Sequence, residues 1–192
     1  MKNIHVGFLF AYDYDKLKWS IPAVYEEAHR IFIAKDKLNR TWTGKTFEVD
    51  PEFFIWLETI DIDHKIEIYE DDFCDLALSA MENEVRERKM LAEKMGIGNW
   101  LIQVDADEIF IDFRKFVQTL RKYDTYLDNP KKHPIQIAAF LIHLYKYTDN
   151  GILYVNEPHK FMLATNYPNY KWGRQTKERI IYTDTVLLHE TL

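Results

Sequence analysis

Short apolar segments that alternate with helical segments through the first 112 residues constrain the fold more than any other feature of the chain. Four strand-like segments occur there, at residues 5–11, 30–36, 65–72 and 100–104. Strands and helices that alternate along a chain typically form a parallel sheet with helices packed on its faces. We therefore expect an α/β fold with a mostly parallel central sheet flanked by helices.

Apolar residues at helical spacing fill the intervals between these strands. The first predicted helix begins near Leu17, with Pro22 marking an early turn or kink, and the second has Phe53 and Leu57 on one side. The third runs from Asp75 to Met95, and Arg88 falls inside its apolar stripe. That stripe consists of Leu78, Met81, Val85, Ala92 and Met95.

The second half of the chain has a different order of elements. A helical segment at residues 113–123 precedes two strand-like segments, 135–148 and 152–156, which flank the sequence Asp149-Asn150-Gly151. This triplet suits the positive φ angles of a hairpin turn, so we expect antiparallel strands to be added to the sheet here. The sequence has no evident linker, repeat or low-complexity tract, and we predict a single domain over residues 1–192.

Composition excludes several classes of partner. The chain has 25 basic and 31 acidic residues and no basic cluster that would follow a phosphate backbone, so nucleic acid is not expected as a partner.

Cys74 is the single cysteine, which excludes an internal disulfide and fits a reducing compartment. The apolar runs are far shorter than the ~20 residues of a membrane span, and the first residues resemble a strand more than a signal peptide. We expect a cytoplasmic protein.

Acidic residues follow the predicted strands. Parallel strands end at the same edge of a sheet, which would bring Asp36, Asp71, Asp72, Asp105 and Asp107 together. Carboxylates crowded at such an edge repel one another unless some are protonated or a cation lies among them. Mg²⁺ or Mn²⁺ bridging to a nucleotide diphosphate would meet this need. In the alternative interpretation, Asp105 and Asp107 cap the following turn and remain solvated.

Three segments resemble a known family. The segment "NWLIQVDADE" at residues 99–108 is similar to the strand and Asp-x-Asp motif of GT-A-fold glycosyltransferases, particularly glycosyltransferase family 2. "IHVGFLFAYDYD" resembles the first strand of that family and the loop that receives the nucleotide, and "IFIAKD" resembles its second strand. The resemblance covers about residues 4–112. It implies a Rossmann-related GT-A fold in which residues 1–112 bind the nucleotide sugar and residues 113–192 face the acceptor.

The resemblance also implies an activity. A sugar would pass from a UDP- or GDP-sugar donor to a hydroxyl of a glycan or lipid-linked acceptor, with peripheral membrane association as an option. The role would be surface polysaccharide or glycan biosynthesis. The chain lacks the Gln-x-x-Arg-Trp motif of processive synthases, so a nonprocessive enzyme is expected.

The resemblance further implies which residues form the site, at the positions that match the family's motifs. Asp107, and less directly Asp105, would hold Mn²⁺ or Mg²⁺, and His189 would be a third protein ligand. The donor would be bound by Ala11, Tyr12, Asp36, Asp72, Asp105 and either Arg88 or Arg86. For Arg88, a structural ion pair with the acidic strand is an equal alternative, because a guanidinium within an apolar stripe requires an anion.

The general base has no matching motif. Glu108, Glu157, Glu178 and Asp184 are all eligible carboxylates, and we select Glu157 and Asp184 as candidates. Trp172 would either stack on a sugar ring or pack in the core.

Two other functions use the same acidic edge. One is a metal-dependent nucleotidyltransferase or phosphohydrolase, although the first strand lacks the Gly-rich, basic loop that cradles a triphosphate. The other is a catalytically silent carbohydrate-binding protein that retains the fold.

Overall fold

One nine-stranded sheet runs through the computed structural model, which describes residues 2–190. The strands are β1 (Ile4–Phe10), β2 (Arg30–Asp36), β3 (Ile66–Asp71), β4 (Trp100–Val104), β5 (Glu108–Phe110), β6 (Ile135–Thr148), β7 (Gly151–Tyr154), β8 (His159–Thr165) and β9 (Arg179–Glu190). The α-helices are α1 (Leu17–Tyr25), α2 (Glu52–Ile60), α3 (Ala80–Met95) and α4 (Phe113–Arg121). None of the helices that the structure describes is long and apolar enough to cross a membrane.

The strand order in the sheet is β3-β2-β1-β4-β8-β6-β9-β5, and β7 pairs with β6 outside this path. The first four strands in this order pair in parallel, and β8 is antiparallel to both of its neighbours. β9 pairs in parallel with β6 and antiparallel with β5. The predicted fold class is confirmed: a parallel half is extended by antiparallel strands, with helices against the sheet.

The core is built on the central parallel strands. All seven residues of β1 are buried, as expected of a continuous apolar run covered on both faces. Helix α3 packs very closely on β1, because a Cβ atom at Gly7 would lie 2.7 Å from the sulfur of Met95 and 2.9 Å from a methyl carbon of Leu91. A larger residue at position 7 would push α3 away from the sheet.

Helix α3 differs from the prediction in its start and in its buried face. A capping box between Ser79 and Glu82 starts the helix at Ala80 instead of residue 75. Ala92 and Met95 are buried as predicted, but the assignment of Met81 to the buried stripe was wrong, because half of it is exposed. Leu91 is buried as well, and polar residues take the other buried positions, namely Asn83, Glu87 and Arg88.

Pro22 lies inside α1, which continues to Tyr25, so the chain does not turn away at this proline; a kink there stays a prediction. The predicted hairpin is present, with Thr148 paired to Gly151 across β6 and β7, but the positive φ angle is that of Gly151 (139°) and not of Asp149 or Asn150.

Candidate functional site

A cavity of about 620 Å³ opens where β1 and β4 end. The loop after β1 contributes Ala11, Tyr12 and Asp13, and the segment 40–47 forms another wall. Asp105, Ala106 and Asp107, which follow β4, lie beside His189 of β9 on the remaining side. The structure therefore brings five sequence-predicted residues to one cavity: Ala11, Tyr12, Asp105, Asp107 and His189.

Asp36 holds the backbone of the neighbouring loop. Its Oδ1 accepts hydrogen bonds from the backbone N–H groups of Leu38 and Arg40, and its Oδ2 accepts from the N–H of Phe73. The Arg40 guanidinium also donates to both carboxylate oxygens at 2.9 Å. Burial alone would raise the pKa of Asp36, but these hydrogen bonds outweigh it and lower the pKa to about 2. The carboxylate is therefore ionised and shapes the cavity through Arg40, which lines it.

Asp72 and Arg86 also act on loops beside the cavity. Asp72 is half exposed and pairs with Arg40 and with Lys37, whose Nζ lies 3.1 Å from its Oδ2. Arg86 donates from Nη1 to the backbone carbonyl oxygens of Asp72 and Phe73. Neither Asp72 nor Arg86 is among the residues lining the cavity, so their contacts order the chain after β3.

Asp105 is paired with Arg88. Nη2 of Arg88 donates to the two Asp105 carboxylate oxygens at 2.8 and 3.2 Å, and its Nε donates to Glu84 at 2.9 Å. Burial alone would raise the pKa of Asp105, but the charges of Arg88 and Arg174 lower it below its usual range. The ion pair considered for Arg88 is therefore present.

Asp107 meets His189 although 82 positions separate them in the chain. Nε2 of His189 lies 3.1 Å from Oδ2 of Asp107, and the backbone N–H of Glu190 donates to the Asp107 carbonyl oxygen. The pairing of β5 with β9 sets this contact, because Glu108 stands opposite His189 in the register. The hydrogen bond with Asp107 raises the pKa of His189.

The acids at this cavity wall influence one another. Burial raises the pKa of Asp13, and the negative charges of Asp107 and Asp105 raise it further. Bringing a cation to this wall would relieve that repulsion. The donor set is a carboxylate and an imidazole, which suits Mn²⁺, whereas Mg²⁺ is usually held by one or two carboxylates together with substrate phosphates.

A complete metal cage is absent from the described residues: within residues 2–190, no three His, Cys, Asp or Glu side chains are arranged as a metal-binding group. Asp107 and His189 would therefore provide two ligands, with substrate oxygens completing the shell.

A second buried ion pair supports the turn that contains Asp107. Both terminal nitrogens of Arg174 donate to the Glu108 carboxylate, with 2.6 Å between Nη1 and Oε2, and Nη1 also donates to the Gln103 carbonyl oxygen. Oε2 of Glu108 in turn accepts from the backbone N–H of Asp105. Burial raises the pKa of Glu108 despite the charge of Arg174. Glu108 is therefore a structural partner of Arg174.

The two carboxylates chosen for the general base lie elsewhere. Glu157 is exposed in the connection between β7 and β8, and Asp184 is exposed on β9, where it pairs with Lys115 at 2.6 Å. Neither is among the residues lining the cavity. Glu178 is half buried next to Asn169. The base assignment stays a prediction that this geometry does not support.

Sequence reasoning missed three side chains near the site. These are Arg174, His143 and Glu87, to which the sequence analysis assigned no role. Glu87 lines the cavity and accepts a hydrogen bond from the Trp42 indole at 2.6 Å. An acid at a buried position of a predicted helix is a usable signal for such a residue, because buried charges require partners.

Comparison with known proteins gives structural similarities and no sequence match. No family model matches the sequence, and no curated protein sequence matches it. Among solved structures, the fold is similar to the crystal structure of S. aureus TarS 1-349, with a TM-score of 0.41 and 8% sequence identity. The matched region covers 77% of this chain and 38% of that chain, so this chain spans well under half the length of the TarS structure.

Proposed function

We propose that the protein is a metal-dependent, nonprocessive glycosyltransferase that moves a sugar from a nucleotide-diphosphate donor to an acceptor hydroxyl. The observation that carries the proposal is the contact of Asp107 with His189 on the wall of the 620 Å³ cavity, next to Asp105. The resemblance of "NWLIQVDADE" to the family 2 motif supports the same function and suggests a role in surface polysaccharide or glycan biosynthesis.

The Asp107 carboxylate and the His189 Nε2 atom would hold Mn²⁺ or Mg²⁺ against the donor diphosphate. The metal would supply positive charge where negative charge develops as the nucleoside diphosphate leaves. Arg88 and Glu108 would keep the turn that contains Asp107 in place, because both are bonded to Asp105. The turn must be rigid because a shift of Asp107 would move the metal, which would then stabilise the leaving nucleoside diphosphate less.

The nucleoside would occupy the part of the cavity between the loop after β1 and segment 40–47. Tyr12 is 73% exposed, and the Trp42 indole is held by Glu87, so both offer aromatic surface. Arg40 is fixed by Asp36 and offers a cation beside this space. In this proposal Asp36 positions Arg40 instead of contacting the nucleoside itself.

Calorimetric titration tests the proposal. UDP, GDP and their sugars would be titrated into the wild-type protein, Asp107→Ala and His189→Ala, each with and without Mn²⁺. Asp184→Ala is the matched control, because this acid is exposed outside the cavity. We expect Mn²⁺ to tighten binding to the wild-type protein and the control, and both site variants to lose that gain.

Equal binding by all four proteins, with and without metal, would refute the metal bridge. Product analysis by NMR separates sugar transfer from nucleotidyl transfer or phosphate release, which the same acids would also serve.

A further inference from the structure

A second cavity of about 330 Å³ lies beside the first, and Asp105 lines both. Its walls come from α3, from β8 and from the segment that connects β8 to β9. Glu84 and Arg88 of α3 line the cavity, together with Phe161 of β8 and Trp172 of the connecting segment. A ligand in this cavity would therefore adjoin the proposed donor site through a shared carboxylate.

Trp172 is exposed on a short segment whose two ends, Tyr170 and Thr176, are buried. The structure leaves 52% of its surface open, whereas Tyr170 and Thr176 are 2% and 1% exposed. The turn around it is hydrogen-bonded, with the backbone N–H of Gln175 donating to the Trp172 carbonyl oxygen at 2.8 Å. Nζ of Lys177 lies over the ring, 5.6 Å from its centroid, and the remaining open surface of Trp172 is available to a ligand.

Two anchors hold this turn against the protein. Arg174 reaches inward to Glu108, and both residues are largely buried. Gly173 has a φ angle of +50°, and a Cβ atom there would lie 2.7 Å from Oε1 of Glu84 on α3. The glycine therefore permits both the backbone conformation and the close approach to α3. Trp172 is fixed at the cavity before any ligand arrives, which reduces the entropy cost of binding.

Arg88 provides an unsatisfied donor at the same cavity. Its side chain is 2% exposed, and its Nε and Nη2 atoms bond to Glu84 and Asp105. Its Nη1 atom is buried and has no hydrogen-bond partner among the residues that the structure describes. Buried polar atoms nearly always have a hydrogen-bond partner, so we expect Nη1 to donate to an oxygen of a ligand or of an ordered water.

The charges around the cavity nearly cancel. Three cationic side chains line it, and two carboxylates oppose them: Arg88, Lys160, Arg174, Glu84 and Asp105. Arg174 is further neutralised by Glu108. A multiply charged ligand such as a phosphate would gain little here, whereas a ligand with several hydroxyl groups would find both donors and acceptors.

We propose that this second cavity binds a neutral sugar residue of the acceptor, with one face of the ring on Trp172 and a hydroxyl oxygen accepting from Nη1 of Arg88. An aromatic surface with a few fixed polar groups is the usual composition of a small-molecule site. The assignment to the acceptor rests on the proposed glycosyl transfer. It makes the acceptor substrate a glycan, as opposed to a bare lipid phosphate.

Saturation-transfer difference NMR and calorimetry test this site. The probes are methyl glycosides of glucose, galactose, mannose, rhamnose and N-acetylglucosamine, with glycerol 3-phosphate as an anionic comparator. We expect at least one glycoside to bind the wild-type protein and to bind Trp172→Ala at least tenfold more weakly. Trp172→Phe should retain most of the affinity, because it keeps an aromatic face. Trp19→Ala is the matched control, since Trp19 is 70% exposed on α1.

Circular dichroism would first establish that Trp172→Ala is folded, and its Mn²⁺-dependent nucleotide binding should equal that of the wild-type protein. Equal glycoside binding by the wild-type protein and Trp172→Ala, binding of glycerol 3-phosphate alone, or no binding by any glycoside would each overturn the proposal. A wild-type protein that binds glycosides through Trp172 but no nucleotide would instead refute the proposed function and retain the sugar site.

Discussion

Nδ1 of His189 lies 2.7 Å from Nδ1 of His143, and the two residues stand opposite each other in the parallel pairing of β6 with β9. One of these nitrogens must carry the hydrogen atom that joins them. When neutral His189 is the donor, its Nε2 is free of hydrogen and can bind a metal. When His143 is the donor, Nε2 of His189 carries the hydrogen and donates to Asp107. His143 therefore provides the partner that either state of His189 requires.

Replacing His143 should weaken metal-dependent nucleotide binding without removing a ligand. We expect His143→Leu to reduce the Mn²⁺-dependent gain in nucleotide affinity by about tenfold, the lower end of the range for residues that orient metal ligands. Calorimetry measures the gain, with His133→Leu as a control because His133 is exposed away from both cavities. Identical metal dependence in both variants would show that His143 does not orient His189.

The two aspartates of the Asp-x-Asp motif should differ in their effect on stability. Asp105→Asn leaves the buried Arg88 guanidinium with Glu84 as its remaining charged partner, so we expect a loss of about 2 kcal/mol, below the range for fully buried pairs because Asp105 is partly exposed. Asp107→Asn should change the free energy of unfolding little and remove metal-dependent binding. Urea denaturation measures both variants. A larger loss of stability in Asp107→Asn would reverse these roles.

Breaking the Arg174–Glu108 pair should destabilise the protein because Glu108 is 2% exposed. We expect Arg174→Met to lower the free energy of unfolding by about 3 kcal/mol, since an uncompensated carboxylate remains buried. Arg114→Met is the control: Arg114 pairs with Glu26 and Glu27 on the surface, and its loss should leave the urea midpoint unchanged. The expectation fails if the two variants have equal midpoints.

Asp36 should contribute to acid unfolding. Its pKa is about 2 in the folded protein and 3.8 ordinarily, so its contribution is complete above pH 3.8 and is lost as the pH falls towards 2. We expect Asp36→Asn to be about 2 kcal/mol less stable than the wild-type protein at pH 6, with the difference vanishing near pH 2. Thermal unfolding followed by circular dichroism at several pH values measures this. A difference that is constant with pH would contradict it.

Glu87 should affect the pH dependence of stability in the opposite direction to Asp36. Burial raises its pKa from 4.5 to about 7, despite the hydrogen bond from Trp42, so folding favours its protonated form. Stability should therefore fall as the pH rises from 4.5 through 7. We expect Glu87→Gln to be more stable than the wild-type protein above pH 7, by about 3 kcal/mol, and to match it near pH 4.5. Denaturation midpoints across this range provide the measurement, and a flat difference would argue against a buried titrating group.

The sequence predicted the bounds of β2 and β6 because each is rich in apolar residues and ends at an acid or a turn sequence, Asp36 and Asp149-Asn150 respectively. The buried face of α3 was mispredicted because the spacing of apolar residues does not reveal buried polar ones. Asn83, Glu87 and Arg88 are buried there, and their hydrogen bonds and ion pairs compensate for the loss of water. Glu108 ends the motif segment, but its partner Arg174 lies 66 positions away and outside any motif, so this contact depends on the packed structure. The His143–His189 contact likewise requires the register of β6 with β9.

Strand β5 stands at one end of the sheet, and β9 is its neighbour there. The turn that contains Asp107 immediately precedes β5, so β9 supplies both the pairing that seats this turn and the imidazole beside it. During synthesis, a nascent chain that has emerged as far as β8 carries the whole Asp-x-Asp motif but lacks its histidine. The Asp107–His189 contact can therefore form only once β9 has paired with β5.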